Sequence, residues 1–382
     1  MSHPPREWQM GLGRHLPLTR RASSAASPLV TLPAALLVAL LAALAAIGCG
    51  AGEAGTGPSG APAELRLGYF PNVTHATPIV GVAMGQYAGR LGATRLSVQT
   101  FNAGPSALEA LLSGDLDATY IGPSPTINAF IKTRGEAIRI VAGATSGGAA
   151  LVVRPGITRP EYLRGTRIGT PQLGNTQDVA LRAWLIANGL TPSSAARDGD
   201  VSVEPTDNAT ALQLFQDGKL DGAWVPEPWA SRLVIDGGGS VLVDEKALWP
   251  GGAFVTTHLV VRADFLDRHP DTVRSLIEGQ LDANAWLAEH PNEAKNLIND
   301  ELARLTGRAL SAAVLDRAFG EQAVTDDPVA SSLQPSADRA VAAGLLGEAD
   351  LRGIYDLRQL NAALAARGRP PVPDAGLGGA GG

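Results

Sequence analysis

The sequence predicts an α/β protein of two similar Rossmann-like lobes joined by a two-strand hinge, and three observations carry that reading. From Glu64 onward, short apolar strand-like runs alternate with helical patterns, which implies parallel strands linked by right-handed crossovers. The order of these units then repeats. Arg66-Leu67-Gly68 and Arg167-Ile168-Gly169 open two halves, and Ala107-Leu108…Gly114-Asp115-Leu116-Asp117-Ala118 returns as Ala211-Leu212…Gly218-Lys219-Leu220-Asp221-Gly222 at a constant offset of 104. Finally, Gly147-Gly148 and Gly251-Gly252 bracket the second half, where a chain crossing twice between lobes needs residues that absorb backbone change.

The chain opens differently. Arg6, Arg14, Arg20 and Arg21 precede the uncharged run Ala34–Ile47, which is short for a membrane span of about 20 residues and has the length of an export signal's apolar region. Ala46-Ile47-Gly48-Cys49 resembles a bacterial lipobox with Ala at its first position, so residues 1–48 are read as a lipoprotein signal peptide and Cys49 as the lipid attachment site. Arg20-Arg21 leaves the choice between the general and twin-arginine export routes open. Residues 49–63, rich in Gly, Ala, Pro and Ser, form a flexible tether.

In the first lobe, strands are expected at Leu65–Tyr69, Leu96–Phe101, Leu116–Ile121 and Ile138–Ala142, with helices at Pro78–Tyr87, Ala107–Ser113 and Ile127–Lys132. Residues 64–148 make the first part of lobe 1 and 149–252 make lobe 2. Lobe 2 opens on a strand ending at Gly169, a Pro/Gly turn, and Asn175-Thr176 ahead of a helical pattern through Val179, Leu181 and Trp184. Residues 253–367 return to lobe 1 through the strand Phe254–Val261 and then become largely helical, and 368–382 are expected to be a disordered Gly/Pro tail.

Composition narrows the chemistry. Removing residues 1–48 takes away four Arg and one Glu, which moves the net charge from −6 to −9 and argues against a nucleic-acid partner. Cys49 is the only cysteine, so intrachain disulfides are excluded and neither thiolate metal binding nor a cofactor is expected. There is no Gly-x-Ser-x-Gly elbow, no Gly-Lys-Ser/Thr phosphate loop and no His/Cys/Asp metal spacing, so an enzyme is the weaker reading.

Ligands of doubly wound sheets bind outside the carboxyl ends of the strands. The loops expected there supply Asn72, Thr74 and His75; Asn102; Ser124; Thr145 and Ser146; and Asn175, Thr176 and Gln177. Nearly all are neutral hydrogen-bond donors, and Asn175-Thr176 would cap a helix whose first N–H groups face an anion. Trp224 is assigned to a ligand's apolar portion and Trp229 to the core. Glu227 suits a ligand amine, a salt bridge or a docking contact, and residue chemistry does not choose among them.

Several runs together resemble one family: Leu67–Ala76, Phe101–Pro105, Tyr120–Pro125, Gly143–Gly148, Thr170–Asp178, Asp221–Trp229 and Phe254–Leu259. They are similar to the aliphatic sulfonate/nitrate/taurine solute-binding proteins of ABC importers, most of all the sulfonate branch, over roughly Glu64–Leu364. The resemblance implies a periplasmic-binding-protein type II fold that closes over a small oxyanion and hands it to a membrane permease. It implies an extracytoplasmic, lipid-anchored monomer with no cofactor, and it puts the ligand site on Asn72, Thr74, His75, Asn102, Thr145, Ser146, Asn175 and Thr176. A thiamine-precursor synthase of the same architecture depends on a cysteine-rich motif that this chain lacks. Regulators with a similar effector domain begin with a DNA-binding helix-turn-helix where this chain has a signal peptide.

Overall fold

The computed structural model describes residues 60–193 and 200–379. Residues 1–59, on which the expected signal peptide, Cys49 and most of the expected tether fall, and residues 380–382 lie outside the described residues.

Lobe 1 begins β1 (Glu64–Tyr69), a single turn of 3-10 helix (Val73–His75), α1 (Ala76–Ala83), α2 (Gln86–Leu91), β2 (Arg95–Thr100), α3 (Gly104–Ser113), β3 (Ala118–Ile121), α4 (Pro123–Lys132) and β4 (Ile138–Gly147). The one helix expected over Pro78–Tyr87 is two, because Gly85 takes a left-handed conformation between them. Lobe 2 follows as β5 (Ala149–Val153), β6 (Arg167–Thr170), α5 (Thr176–Ala187), β7 (Pro192–Ser193), β8 (Val201–Pro205), α6 (Asn208–Gln216), β9 (Gly222–Pro226), α7 (Trp229–Ile235) and β10 (Ser240–Asp244). The chain returns through β11 (Val255–Arg262) to α8 (Ala263–Arg268), α9 (Pro270–Glu289), α10 (Pro291–Thr306), α11 (Ala312–Gly320), β12 (Gln322–Val324), α12 (Leu333–Ala342) and α13 (Arg358–Ala366).

Each lobe holds a six-stranded sheet, ordered β12-β4-β11-β3-β1-β2 in one and β10-β5-β9-β6-β8-β7 in the other. The two share a plan: two parallel pairings around β1 or β6, then an antiparallel strand beside β3 or β9. The sheets are therefore mixed rather than wholly parallel, because the second strand of each crossing runs against its neighbours.

The sequence repeat is a structural one. Asp117 accepts from the backbone N–H of Arg66 at 2.9 Å, and Asp221 accepts from the N–H of Arg167 at the same distance. Gly68 and Gly169 lie against Leu116 and Leu220, which would sit 2.6 and 3.0 Å from an added Cβ. In both lobes a helix-to-strand leucine fills the space that a glycine leaves in the opening strand.

The cores follow from strands covered on both faces. One continuous apolar cluster fills lobe 1. Lobe 2 has one on each side of its sheet, with Leu151, Val153 and Trp224 facing one way and Val152, Ala223 and Val225 the other.

Both crossings lie at the expected glycines. Gly147 and Gly148 adopt φ of 77° and 75°, which a side chain would strain, and Gly251 and Gly252 are likewise left-handed. Between them Trp249 stacks on Phe254 with ring centroids 5.3 Å apart, and Ala149 completes a small hinge cluster.

Two expectations are corrected. Residues 143–147, read as a loop after Ala142, continue β4 because they pair with β11 and β12. The tail from 368 is ordered as far as 379: Asn361 pairs with both backbone groups of Val372, and Tyr355 bridges to Gly378.

Candidate functional site

Carboxyl ends of strands from both lobes converge on one small cavity of about 30 Å³. Lobe 1 contributes Phe70, Asn72, Thr74 and His75 from the turn after β1, Gly104 at the start of α3, Gly122 and Pro125 around the start of α4, and Thr256 and Thr257 from β11. Lobe 2 contributes Asn175, Thr176 and Gln177 at the start of α5, and Pro226 at the end of β9. Because β11 runs antiparallel, its first residues reach the same edge as the ends of β1 and β3.

The lobe 2 wall is a helix N-terminus. Asn175 has an extended backbone (φ −75°, ψ 173°) and accepts the Asp178 N–H on its side-chain oxygen at 2.9 Å. That cap leaves the first N–H groups, on Thr176 and Gln177, without intrahelical partners at the positive end of the dipole. The Thr176 hydroxyl is buried with no hydrogen-bond partner. Behind the wall, Asp178 is held by Thr170, the Gly174 N–H and Arg182, so its carboxylate is satisfied away from the cavity.

The lobe 1 wall is neutral as well. His75 accepts the Phe70 N–H on Nδ1 at 3.3 Å, which leaves Nε2 as the protonated nitrogen. Burial pushes its pKa down to about 3, so the ring carries no charge near neutrality. No lining side chain is therefore charged at pH 7. The cavity offers hydroxyls, amides and one imidazole N–H, with Phe70, Pro125 and Pro226 as its apolar surface.

The lobes are closed upon each other. Thr74 N–H donates to the Glu227 carbonyl at 3.5 Å, Trp229 Nε1–H donates to Asn72 Oδ1 at 2.9 Å, and Ser106 donates to Gln172 at 3.4 Å across the mouth.

Of the residues expected in the site, Asn72, Thr74, His75, Asn175, Thr176 and Gln177 line the cavity and six do not. Asn102 is exposed in the turn ahead of α3, where Gly104 reaches the cavity instead. Ser124 is buried in the first turn of α4 between two lining residues. The Thr145 hydroxyl is committed to the Thr74 carbonyl at 2.7 Å, and Ser146 accepts the Phe254 N–H, so this strand braces the site without walling it.

Trp224 points into the lobe 2 core rather than at a ligand. It is fully buried, edge-on to Trp184, and its indole N–H donates to Glu245 at 2.8 Å. Strand alternation decides this, because Ala223 and Val225 take the opposite face. Trp229 packs against the lobe 2 core as assigned, and from there its indole N–H reaches across to Asn72. Glu227 presents only its backbone at the cleft. Its carboxylate accepts the Ser231 N–H at 3.0 Å at the start of α7 and faces Arg317 and Glu321, and burial pushes its pKa up to about 7. Sequence pattern alone misses Thr256 and Thr257, which only the direction of β11 brings to the cavity.

The fold and the chain have clear relatives. The taurine-binding periplasmic protein of Escherichia coli K12 is 31% identical over 246 residues, 61% of this chain and 71% of that protein. The nitrate/nitrite binding protein NrtA of Nostoc is 25% identical over 70% of this chain and 63% of its own length. The solved alkanesulfonate-binding protein SsuA of Xanthomonas axonopodis superposes with a TM-score of 0.62 at 22% identity, covering 75% of this chain and 95% of that one. Periplasmic NrtA of Synechocystis superposes at 0.69 with 18% identity, covering 80% and 89%. These likenesses establish a periplasmic-binding-protein fold and bear out the resemblance read from the sequence. The family described as NMT1-like matches residues 59–299, most of the described lobes, and the chain belongs to that family.

Proposed function

We propose that this chain is the extracytoplasmic solute-binding component of an ABC importer. It captures a small oxyanion, an aliphatic sulfonate in the first instance, and delivers it to a membrane permease. The observation that carries the reading is the uncharged cavity facing the N-terminus of α5, with the Thr176 hydroxyl buried and unpartnered inside it. Such a wall suits an anion that must also be released, because its dipoles bind oxygens without a permanent counter-ion.

Relatives that bind taurine, nitrate and alkanesulfonates support an oxyanion. The sulfonate is preferred over taurine because no lining carboxylate meets a ligand amine. Phe70, Pro125 and Pro226 suit a short alkyl group. The small volume favours a second reading, nitrate or bicarbonate, in the same fold. Attachment through Cys49 and a monomeric state belong to the same proposal.

Hydrogen bonds to charged groups contribute about 1.5–3 kcal/mol each, so four or five support affinity near micromolar, roughly −8 kcal/mol, after association costs. The test is a thermal-shift screen with methanesulfonate, ethanesulfonate, taurine, nitrate, bicarbonate and sulfate. A ligand at about 1000-fold its Kd should stabilise the fold by about 4 kcal/mol. No shift with any of the six, or turnover of one of them to a product, would overturn the proposal.

A further inference from the structure

We propose that Trp229 is a positioning residue for anion selectivity: on closure its indole N–H, from lobe 2, fixes the Asn72 amide of lobe 1 with the Nδ2 protons turned to the ligand. The inference rests on the oxyanion reading of the cavity and adds to it a device that sets which end of the amide the ligand meets.

An amide side chain is ambiguous, since its two ends differ only in donating or accepting. A flip of the Asn72 amide would convert a cavity donor into an acceptor that repels an anion. An indole nitrogen can only donate, so the 2.9 Å contact from Trp229 Nε1 must end on the Asn72 oxygen. The nitrogen is then the free end. Asn72 is 5% exposed and lines the cavity, and among the described residues no acceptor takes its Nδ2 protons.

The indole is itself held. The Arg232 guanidinium lies 4.8 Å from the Trp229 ring centroid, and Arg232 is paired with Asp236 at 3.1 Å. Trp229 is thus a rigid donor at the start of α7, and it belongs to the opposite lobe. The amide is locked only when the lobes meet, so the donor becomes fixed in the closed state, where differential affinity is needed.

The test is a double-mutant cycle read by calorimetry with methanesulfonate and with nitrate, using Trp229→Phe, Asn72→Ala and the double variant. Phenylalanine keeps an aromatic ring near Arg232 and removes the indole N–H together with the fused five-membered ring. Each single variant is expected to weaken binding about tenfold, the size of one hydrogen bond to a charged group. The double variant should be no more than about twofold weaker than Asn72→Ala, because Trp229 acts through Asn72. A merely structural contact would give additive losses, and additivity overturns the proposal.

A second readout is taken on protein saturated with methanesulfonate or nitrate, in which the lobes are closed. With ¹⁵N-labelled tryptophan, the Trp229 indole resonance, assigned by its disappearance in Trp229→Phe, should shift and exchange faster in Asn72→Ala. An unchanged resonance overturns the pairing. Should the wild-type protein bind neither anion, the oxyanion reading fails on its own, whereas additive losses in a protein that does bind overturn the Trp229 role alone.

Discussion

The hydroxyl of Thr176, on lobe 2, stands 2.4 Å from where a Cβ on Gly122 of lobe 1 would lie. Gly122 has an ordinary extended backbone (φ −78°, ψ 165°), so an alanine there is unstrained by conformation. The close approach exists only between the closed lobes. Gly122→Ala should therefore leave the melting temperature nearly unchanged and oppose closure. Overpacking of this kind costs about 1–3 kcal/mol, which predicts oxyanion binding weaker by roughly 5- to 150-fold. Calorimetry measures the affinity, and Gly122→Ala with Thr176→Ser keeps the clash as an internal control. Wild-type affinity in Gly122→Ala would show that the lobes do not meet at this point.

Trp224 separates core from site. Its indole N–H is the partner of a fully buried carboxyl, Glu245, so Trp224→Phe strands the acid and also removes one ring of the indole from the core. Leaving one buried group unsatisfied costs about 1–3 kcal/mol. The variant should unfold at lower denaturant and bind oxyanions within about twofold of wild type, since no energy linked to the ligand passes through it. A selective loss of affinity without loss of stability would return Trp224 to the ligand.

Glu227 and Glu245 give stability a pH dependence with a definite sign. Burial pushes both up to about 7 from the ordinary 4.5. Between those values the folded protein holds protons that the unfolded chain has released, so their contribution falls as pH rises and is fully lost above about 7. His75 and His258, pushed down from 6.5 to about 3, act oppositely at lower pH, where the unfolded chain takes up protons first. The comparison that isolates the acid is Glu245→Gln against wild type. Wild type should lose up to about 3 kcal/mol relative to the variant between pH 5 and pH 8. Denaturant titrations at four pH values measure it, and parallel stability curves would contradict the assignment.

Much of this architecture is legible in the sequence, and particular residues show why. The Leu116/Leu220 offset and the glycines facing those leucines encode packing that is local to one helix–strand unit, so a repeat along the chain becomes a repeat in space. Asn175 is legible for the same reason, because a cap bonds three residues ahead. Thr145 and Ser146 are not, since their strand is extended by pairing with β11 and β12, more than a hundred residues away. Trp224 is misplaced because alternation says only that strand neighbours face apart, and the assembled sheet shows that both of its faces are core, while Trp229 packs on that core as assigned. Glu227 hides a backbone contribution behind a charged side chain.

The ordered tail yields the last prediction. Arg369 pairs with Asp326 at 2.6 Å, and Asp326, almost fully buried, also accepts from Asn284 Nδ2. Asn284 in turn accepts the Thr77 hydroxyl at 2.7 Å, two residues beyond His75 on α1. A chain ending at Gly368 would strand that carboxylate and remove the Val372 and Leu377 backbone bonds. Breaking a buried pair costs about 3–5 kcal/mol, but the Arg369 side chain is 49% exposed, which screens the pair and reduces the expected loss to about 1–3 kcal/mol. Arg369→Ala alone should account for part of that loss and Asp326→Asn should offset it, because a neutral amide needs no cation. Melting temperatures of the three variants decide the matter. A truncated protein as stable as the full chain would mean that residues 369–379 lie on the lobe without holding it.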